Sequence, residues 1–314
     1  MESTIRTPDT SSVIVGVDGS QPARDAALWA AGEAVRRDRP LHIVHGADTD
    51  GRALYLSSES VEKIRAAGRE LLDDTAKTVT SAYPGLRVTT EFSHTDAVTT
   101  LHRVGGLHGT IVVGNRGLGG FHSLMLGSVG LKTAAGARTP VIVVRGIGDA
   151  EECDTPEGRG IADERGTVLA AVRDEDDLVC ALYAAQEAGL RKASVRLLHV
   201  WNVIQSTGSV VTMLDDVDEI AGQHVEALNA VTEAVRDEFP DLAVQADAER
   251  STSVAGVLVE ASRHADLLVM GGRRAPATLG LGRNLGRATH SVLHHAHCPV
   301  LLIPRAGADS GSRT

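Results

Sequence analysis

Leu28-Trp29-Ala30-Ala31-Gly32-Glu33-Ala34 and, 154 residues further on, Leu182-Tyr183-Ala184-Ala185-Gln186-Glu187-Ala188 are two copies of one pattern. Working outward, LHIVH at 41–45 is answered by RLLHV at 196–200, and Tyr83-Pro84-Gly85-Leu86 by Phe239-Pro240-Asp241-Leu242. TIVVG at 110–114 is answered by LLVMG at 267–271, and PVIVV at 140–144 by PVLLI at 299–303. The order is kept while the offset drifts only from 154 to 159. Solenoid repeats run at roughly 20 to 50 residues, so a period this long indicates duplication of a whole domain. The 314 residues suit two such domains. Between the halves, GIGDAEECDTPEGRGIADERG at 146–166 is rich in Gly, Asp and Glu and lacks apolar periodicity, as a linker does. The domains are therefore placed at 1–150 and 167–314 with a linker over 151–166.

In the first half, residues 12–17 form a β-branched run, and residues 22–37 carry Ala27, Ala30, Ala31 and Ala34 at helical spacing. The pattern continues as strand 41–45, helix 58–82, strand 86–92, helix 96–104, strand 110–114, helix 129–137 and strand 141–145. Runs such as IVV and VIVV, apolar at every residue, are expected of strands covered on both faces, and their alternation with helices implies right-handed crossovers in a parallel sheet. The predicted fold is α/β: two tandem doubly wound domains, each a five-stranded parallel sheet flanked by helices.

Composition narrows the function. A formal charge of −10 and a pI near 5.7 disfavour a phosphate backbone as partner, and 3% aromatic residues supply few stacking platforms, so nucleic acid is not expected. Cys153, Cys180 and Cys298 are odd in number, far apart and without CxxC spacing, which suggests neither a disulfide framework nor a structural zinc site. The N-terminus lacks an apolar core segment, and no apolar stretch approaches eighteen residues, so no membrane association and a cytoplasmic location are expected.

Ligands of open α/β sheets settle at the carboxyl ends of the strands. After the fourth strand the sequence reads Val113-Gly114-Asn115-Arg116-Gly117, and nine residues later Gly127-Ser128-Val129 opens a helix, a G-x2-G-x9-G-S pattern. Glycines allow close backbone approach, and amides at a helix start hold phosphate without a lysine. Ser128 offers its hydroxyl as a donor or a cap. The Walker A motif is absent, since Lys132 lies inside the helix, and GxGxxG is absent because His122 occupies its last position. On their own, the glycines equally suit turns and helix packing.

With the opening Val15-Gly16-Val17-Asp18-Gly19-Ser20 and the closing Pro-Val-Ile-Val-Val strand, the chain resembles the universal stress protein family in its tandem form. The resemblance covers nearly the whole chain. It implies five-stranded α/β domains and, for the subfamily keeping this glycine pattern, ATP as ligand with magnesium as its accompanying ion. Carried over by position, Gly16, Val17 and Asp18 would border the adenosine and Gly46 would supply backbone near adenine. Val113, Gly114 and Gly117 would lie against ribose and phosphates, and Gly127, Ser128 and Val129 would hold the phosphate tail. Asp18 also reads as a turn former before Gly19-Ser20. The apolar last strands at 141–144 and 301–303 invite cover, and the resemblance implies pairing across domains, which within one chain makes a pseudo-dimer. A homodimer of two chains is left open.

The second half departs from the pattern. Arg173 answers Asp18, Asp174 answers Gly19, Arg274 answers Gly117 and Arg287 answers Ser128, so ATP is expected to bind there weakly or not at all. Arg273, Arg274, Arg283 and Arg287 read as solvated surface or as a separate anion site. His290, His294, His295, His297 and Cys298 crowd a helix end but lack a familiar zinc-ligand spacing, and no metal is assigned to them. No catalytic residue is assigned, since Arg116 and His122 in the loop do not make a phosphoryl-transfer set. The leading reading is an ATP-binding stress-response regulator or sensor with an unidentified protein partner. The alternatives are a slow ATP hydrolase or nucleotide-transfer enzyme, and an interaction scaffold with incidental nucleotide.

Overall fold

The computed structural model describes residues 12–52, 55–106, 109–115, 127–145, 166–202, 217–272 and 285–304. The first half runs β1 (Ser12–Gly16), α1 (Gln21–Arg36), β2 (Leu41–Gly46), α2 (Thr49–Arg52), α3 (Ser58–Ala82), β3 (Val88–Ser93), α4 (Ala97–Gly105), β4 (Gly109–Gly114), α5 (Ser128–Gly136) and β5 (Val141–Val144). The second runs β6 (Thr167–Ala171), a 3-10 turn (Glu175–Asp177), α6 (Leu178–Arg191), β7 (Ser194–Trp201), α7 (Val217–Glu238), β8 (Val244–Arg250), α8 (Val254–Ala261), β9 (Leu267–Gly272), α9 (Arg287–His295) and β10 (Val300–Pro304). The expected elements are present to within two residues at most ends. The single turn α2 carries no apolar periodicity and was not anticipated.

Each half is a parallel sheet, ordered β3-β2-β1-β4-β5 and β8-β7-β6-β9-β10. The last strands of the two halves pair antiparallel, setting Val143 against Val300, Ile142 against Leu301 and Val141 against Leu302. The two sheets therefore merge into one of ten strands. All four residues of β5 are buried, as expected of a strand with helices on both faces.

Two apolar layers cover this sheet, and both cross the boundary between the halves. One joins α1, α3, α6 and α7 to their face, with Ala26, Ala30 and Ala34 of α1 and Ala181, Ala184 and Ala188 of α6 at its centre. The other joins α4, α5, α8 and α9 to the opposite face. Alanine at the contact positions lets α1 and α6 lie close to the strands, which explains how a chain with so few aromatic residues fills its core.

Where α1 and α6 approach across the seam they share a buried ionic cluster. Arg37 donates to Glu33 (2.7 Å) and across to Glu187, while Arg191 donates to Glu187 and across to Glu33 (2.7 Å). Both carboxylates are 0–1% exposed and both arginines 7–9%. Burial pushes Glu33 up, but Arg37, Arg191 and Arg36 outweigh it and hold its carboxyl below the usual range. Leu190 stands where Arg36 does, so among the described residues Glu187 has two cations against the three of Glu33, and burial, with Glu33 beside it, pushes that carboxyl up despite Arg37 and Arg191.

Strand pairing corrects one sequence match by a residue. Val13 pairs with Leu41 and its counterpart Val168 pairs with Val195, so Leu41 corresponds to Val195 and His45 to His199. The apolar pattern had set Leu41 against Arg196.

The seam and the shared layers predict that both halves unfold together. A single calorimetric transition is expected, and two separated ones would show that the halves are uncoupled. Glu33→Ala leaves two buried guanidinium groups short of a partner and is expected to destabilise the protein by about 3–5 kcal/mol, read from the shift in chemical denaturation.

Candidate functional site

Strands β2, β1 and β4 lie side by side, and the chain leaves β1 toward β2 on one side while β4 flanks the other. Their carboxyl ends thus form the switch point of the first half, where side chains and free backbone groups meet in a crevice. The structure brings Gly16, Val17 and Asp18, Gly46, and Val113 and Gly114 to this edge. The start of α5 joins them, because the Gly127 amide donates to the Asn115 carbonyl at 2.6 Å and ties the helix to the end of β4. Gly117 lies outside the described residues, as do Arg116 and His122.

The glycines divide by cause. A Cβ on Gly46 would stand 2.7 Å from the Ala97 Cα, and one on Gly114 would stand 2.8 Å from the Pro22 carbonyl oxygen. Both positions are required by packing against the starts of α4 and α1, whatever else they do. Gly16 is less confined, with a side chain of Leu101 at 3.2 Å from such a Cβ. Gly127 has φ −71° and ψ 155°, open to any residue.

Gly127 differs instead in what it fails to supply. Ser20, Ser57 and Asp96 cap α1, α3 and α4 by accepting from first-turn amides, at 3.3 Å to Ala23, 3.2 Å to Ser60 and 3.0 Å to Val98. At α5 the cap residue is a glycine without such a bond, and the exposed Ser128 follows it. Amides left without a side-chain cap among the described residues suit an external anion.

Asp18 forms the expected turn, its Oδ1 accepting from the Ser20 amide at 3.0 Å. The Val17 and Val113 side chains are buried in the core, so any contact they make with a ligand is through the backbone. Val129 is 40% exposed on the first turn of α5. Sequence reasoning missed His45 at the end of β2. Its Nδ1 lies 2.7 Å from the Val17 carbonyl, which can only accept, so this nitrogen carries the proton and pins the loop that bears Asp18.

The second half builds the same edge from other residues. Its cleft of about 910 Å3 is lined by Arg173, His199, Val200, Trp201, His224 and Arg287, among others. His199 repeats the His45 bond, with Nδ1 2.8 Å from the Val172 carbonyl. Its Nε2 then accepts from Nδ1 of His224 at 2.8 Å, and the His224 ring stacks on Trp201 at a centroid distance of 4.8 Å. Arg273, Arg274 and Arg283 lie outside the described residues, and Arg287 is the first residue of α9. The His290 and His294 rings lie 4.5 Å apart on α9, tilted by 36°, and among the described residues no group of three or more His, Cys, Asp or Glu side chains is placed to hold a metal. Burial pushes the Cys298 thiol up to about 12, which leaves it inert. No described helix is long and apolar enough to cross a membrane.

The model of the universal stress protein family matches residues 10–145 and again 164–304. The universal stress protein Rv2624c of Mycobacterium tuberculosis is 27% identical over 307 residues, covering 95% of this chain and 98% of its own. A universal stress protein of Mycolicibacterium smegmatis is likewise 27% identical, covering 93% and 96%. Among solved structures, a universal stress protein from Archaeoglobus fulgidus aligns with a TM-score of 0.65 at 17% identity over 96% of this chain and 98% of its own, a likeness of fold.

The packing analysis separates two substitutions. Gly46→Ala is expected to cost about 1–3 kcal/mol of stability with no ligand present, whereas Gly127→Ala is expected to cost about 1 kcal/mol or less. Thermal denaturation of the two variants side by side checks this.

Proposed function

The chain belongs to the universal stress protein family, and from that premise we propose that its first half binds ATP and acts as a nucleotide-dependent regulator. The observation that carries this reading is the uncapped start of α5, tied to the end of β4 beside the Asp18 turn. Phosphate oxygens are strong acceptors and suit first-turn amides and the Ser128 hydroxyl. Asp18, at the end of β1, suits a ribose hydroxyl donor. Gly16, Val17, Gly46, Val113 and Gly114 would border the nucleoside through backbone, and Gly117 would belong to the phosphate loop. Magnesium would accompany the phosphates as counter-ion.

Binding rather than turnover is the proposed output. Phosphoryl transfer needs a positioned nucleophile and groups that stabilise the transferring charge, and Asp18, Ser128 and a set of backbone amides do not amount to that set. A change in partner choice or conformation on occupancy then transmits the signal.

The test is nucleotide analysis of the purified, denatured protein, followed by calorimetric titration of ATP. One ATP per chain is expected, with affinity reduced by about tenfold or more, roughly 1.4 kcal/mol, in Asp18→Ala and in Gly127→Ala. Two equivalent sites would overturn the assignment to the first half. No binding would overturn the nucleotide reading in favour of a scaffold, and stoichiometric phosphate release would overturn binding as the sole output.

A further inference from the structure

The second half's cleft has a different chemistry from the first half's, although the fold makes the two equivalent. Its floor is aliphatic, with Leu198, Val200, Leu258 and Met270 lining it. One wall is the flat stack of His224 on Trp201, whose planes differ by 22°. Burial, and His199 beside it, hold His224 below the ordinary histidine range, so this wall is uncharged at neutral pH.

The charges sit elsewhere in the lining. Arg173 occupies the position of Asp18 and Arg287 that of Ser128, so a carboxylate and a hydroxyl are replaced by two guanidinium groups. Asp177 is the one acidic side chain among the described lining residues. It is 1% exposed and is engaged by Arg173, whose Nε and backbone amide both reach its Oδ2, at 3.1 and 3.0 Å. Arg287 is exposed and has no ion-pair partner among the described residues. Among the described residues the lining carries two arginines against one aspartate over an apolar floor.

Space at the same edge is also redistributed. Val200 takes the place of Gly46 and is itself buried against the cleft, filling room beside the strand end. Arg287 opens α9, where Gly286 is an uncapped start like Gly127, and lines the cleft at the position that Ser128 holds in the first half. An aliphatic floor, a flat aromatic wall and two arginines in the lining suit a small amphiphile with one anionic group.

We propose that the second half's cleft binds a compact organic anion with a flat apolar body, an aromatic carboxylate in chemical class, and that it does so independently of the first half's ligand. The guanidinium groups of Arg173 and Arg287 receive the carboxylate. The ring lies over the aliphatic floor beside the Trp201–His224 stack. The chain then carries two sites of different ligand class on one sheet.

Trp29 and Trp201 are the two tryptophans of the chain, so full-length Trp29→Phe retains a single indole N–H resonance, that of Trp201. Titration of this protein with 2-naphthoate, followed by that resonance and by calorimetry, is expected to show one saturable site. Arg287→Gln, which removes an exposed side chain, is expected to weaken it by about tenfold. Arg173→Gln should do the same, and Arg287→Gln keeps the test valid if loss of the Asp177 partner impairs folding. Saturating ATP, and separately Asp18→Ala, should leave the isotherm unchanged. The proposal is overturned if 2-naphthoate does not saturate, if Arg287→Gln binds it as wild type does, or if ATP displaces it and shifts the Trp201 resonance. Because the readout is independent of Asp18, failure here is distinguishable from failure of ATP to bind the first half.

Discussion

A strand with apolar side chains on both faces and one unpaired backbone edge has no stable place in water. Residues 141–144 and 300–303 are two such strands, and each satisfies the other's edge. Much of the rest of the architecture follows from that pairing. It brings α1 and α6 alongside each other, lets each apolar layer run over both halves, and encloses Glu33, Arg37, Glu187 and Arg191 away from solvent. Burying four charges is favourable only when each is matched, and here the matching is reciprocal across the seam, as at an isologous interface. The cluster therefore ties the two halves together in one relative placement.

The seam also decides which edges of the sheet stay open. It uses up the β5 and β10 edges and leaves the strand ends near β1 and β6 open. At both openings a histidine at the end of the second strand holds the loop after the first strand, so the scaffold of the crevice is common to both halves. What differs is the chemistry placed on it. The first edge presents a carboxylate, a hydroxyl and a glycine at the end of its second strand. The second presents guanidinium groups, a branched aliphatic side chain and stacked rings. A shared frame with different side chains is how one fold comes to serve more than one ligand class.

Most of the fold was legible because its signals are local. Buried strands write themselves as IVV and VIVV, and α1 and α6 as alanines at helical spacing. The match of LHIVH to RLLHV was off by one because several apolar residues fit either register, and only hydrogen bonding to β1 and β6 distinguishes Leu41–Val195 from Leu41–Arg196. Gly46 and Gly114 looked like ligand-approach positions. Their packing role depends on Ala97 and Pro22, contacts that arise only in three dimensions. His45, His199 and His224 gave no signal, since a histidine near a strand end reads the same whether it holds a loop or faces water. The apolar last strands announced an edge that needs cover, while their pairing with each other was implied by the family resemblance and is what the structure has.

Joining the halves in one chain has a consequence for how such a protein can change over time. In a symmetric pair of separate chains every substitution appears twice, so a mutation that suits one cleft is forced on its twin. Here Asp18 and Arg173 occupy matching places yet are encoded separately, and each can be altered while the other is held. The seam alone stays bound by the old symmetry, because Glu33 with Arg191 and Glu187 with Arg37 must still fit together. Selection on such a chain would be strict along the middle of the sheet and permissive at the two outlying strand-end edges, so one edge can change while the other is kept.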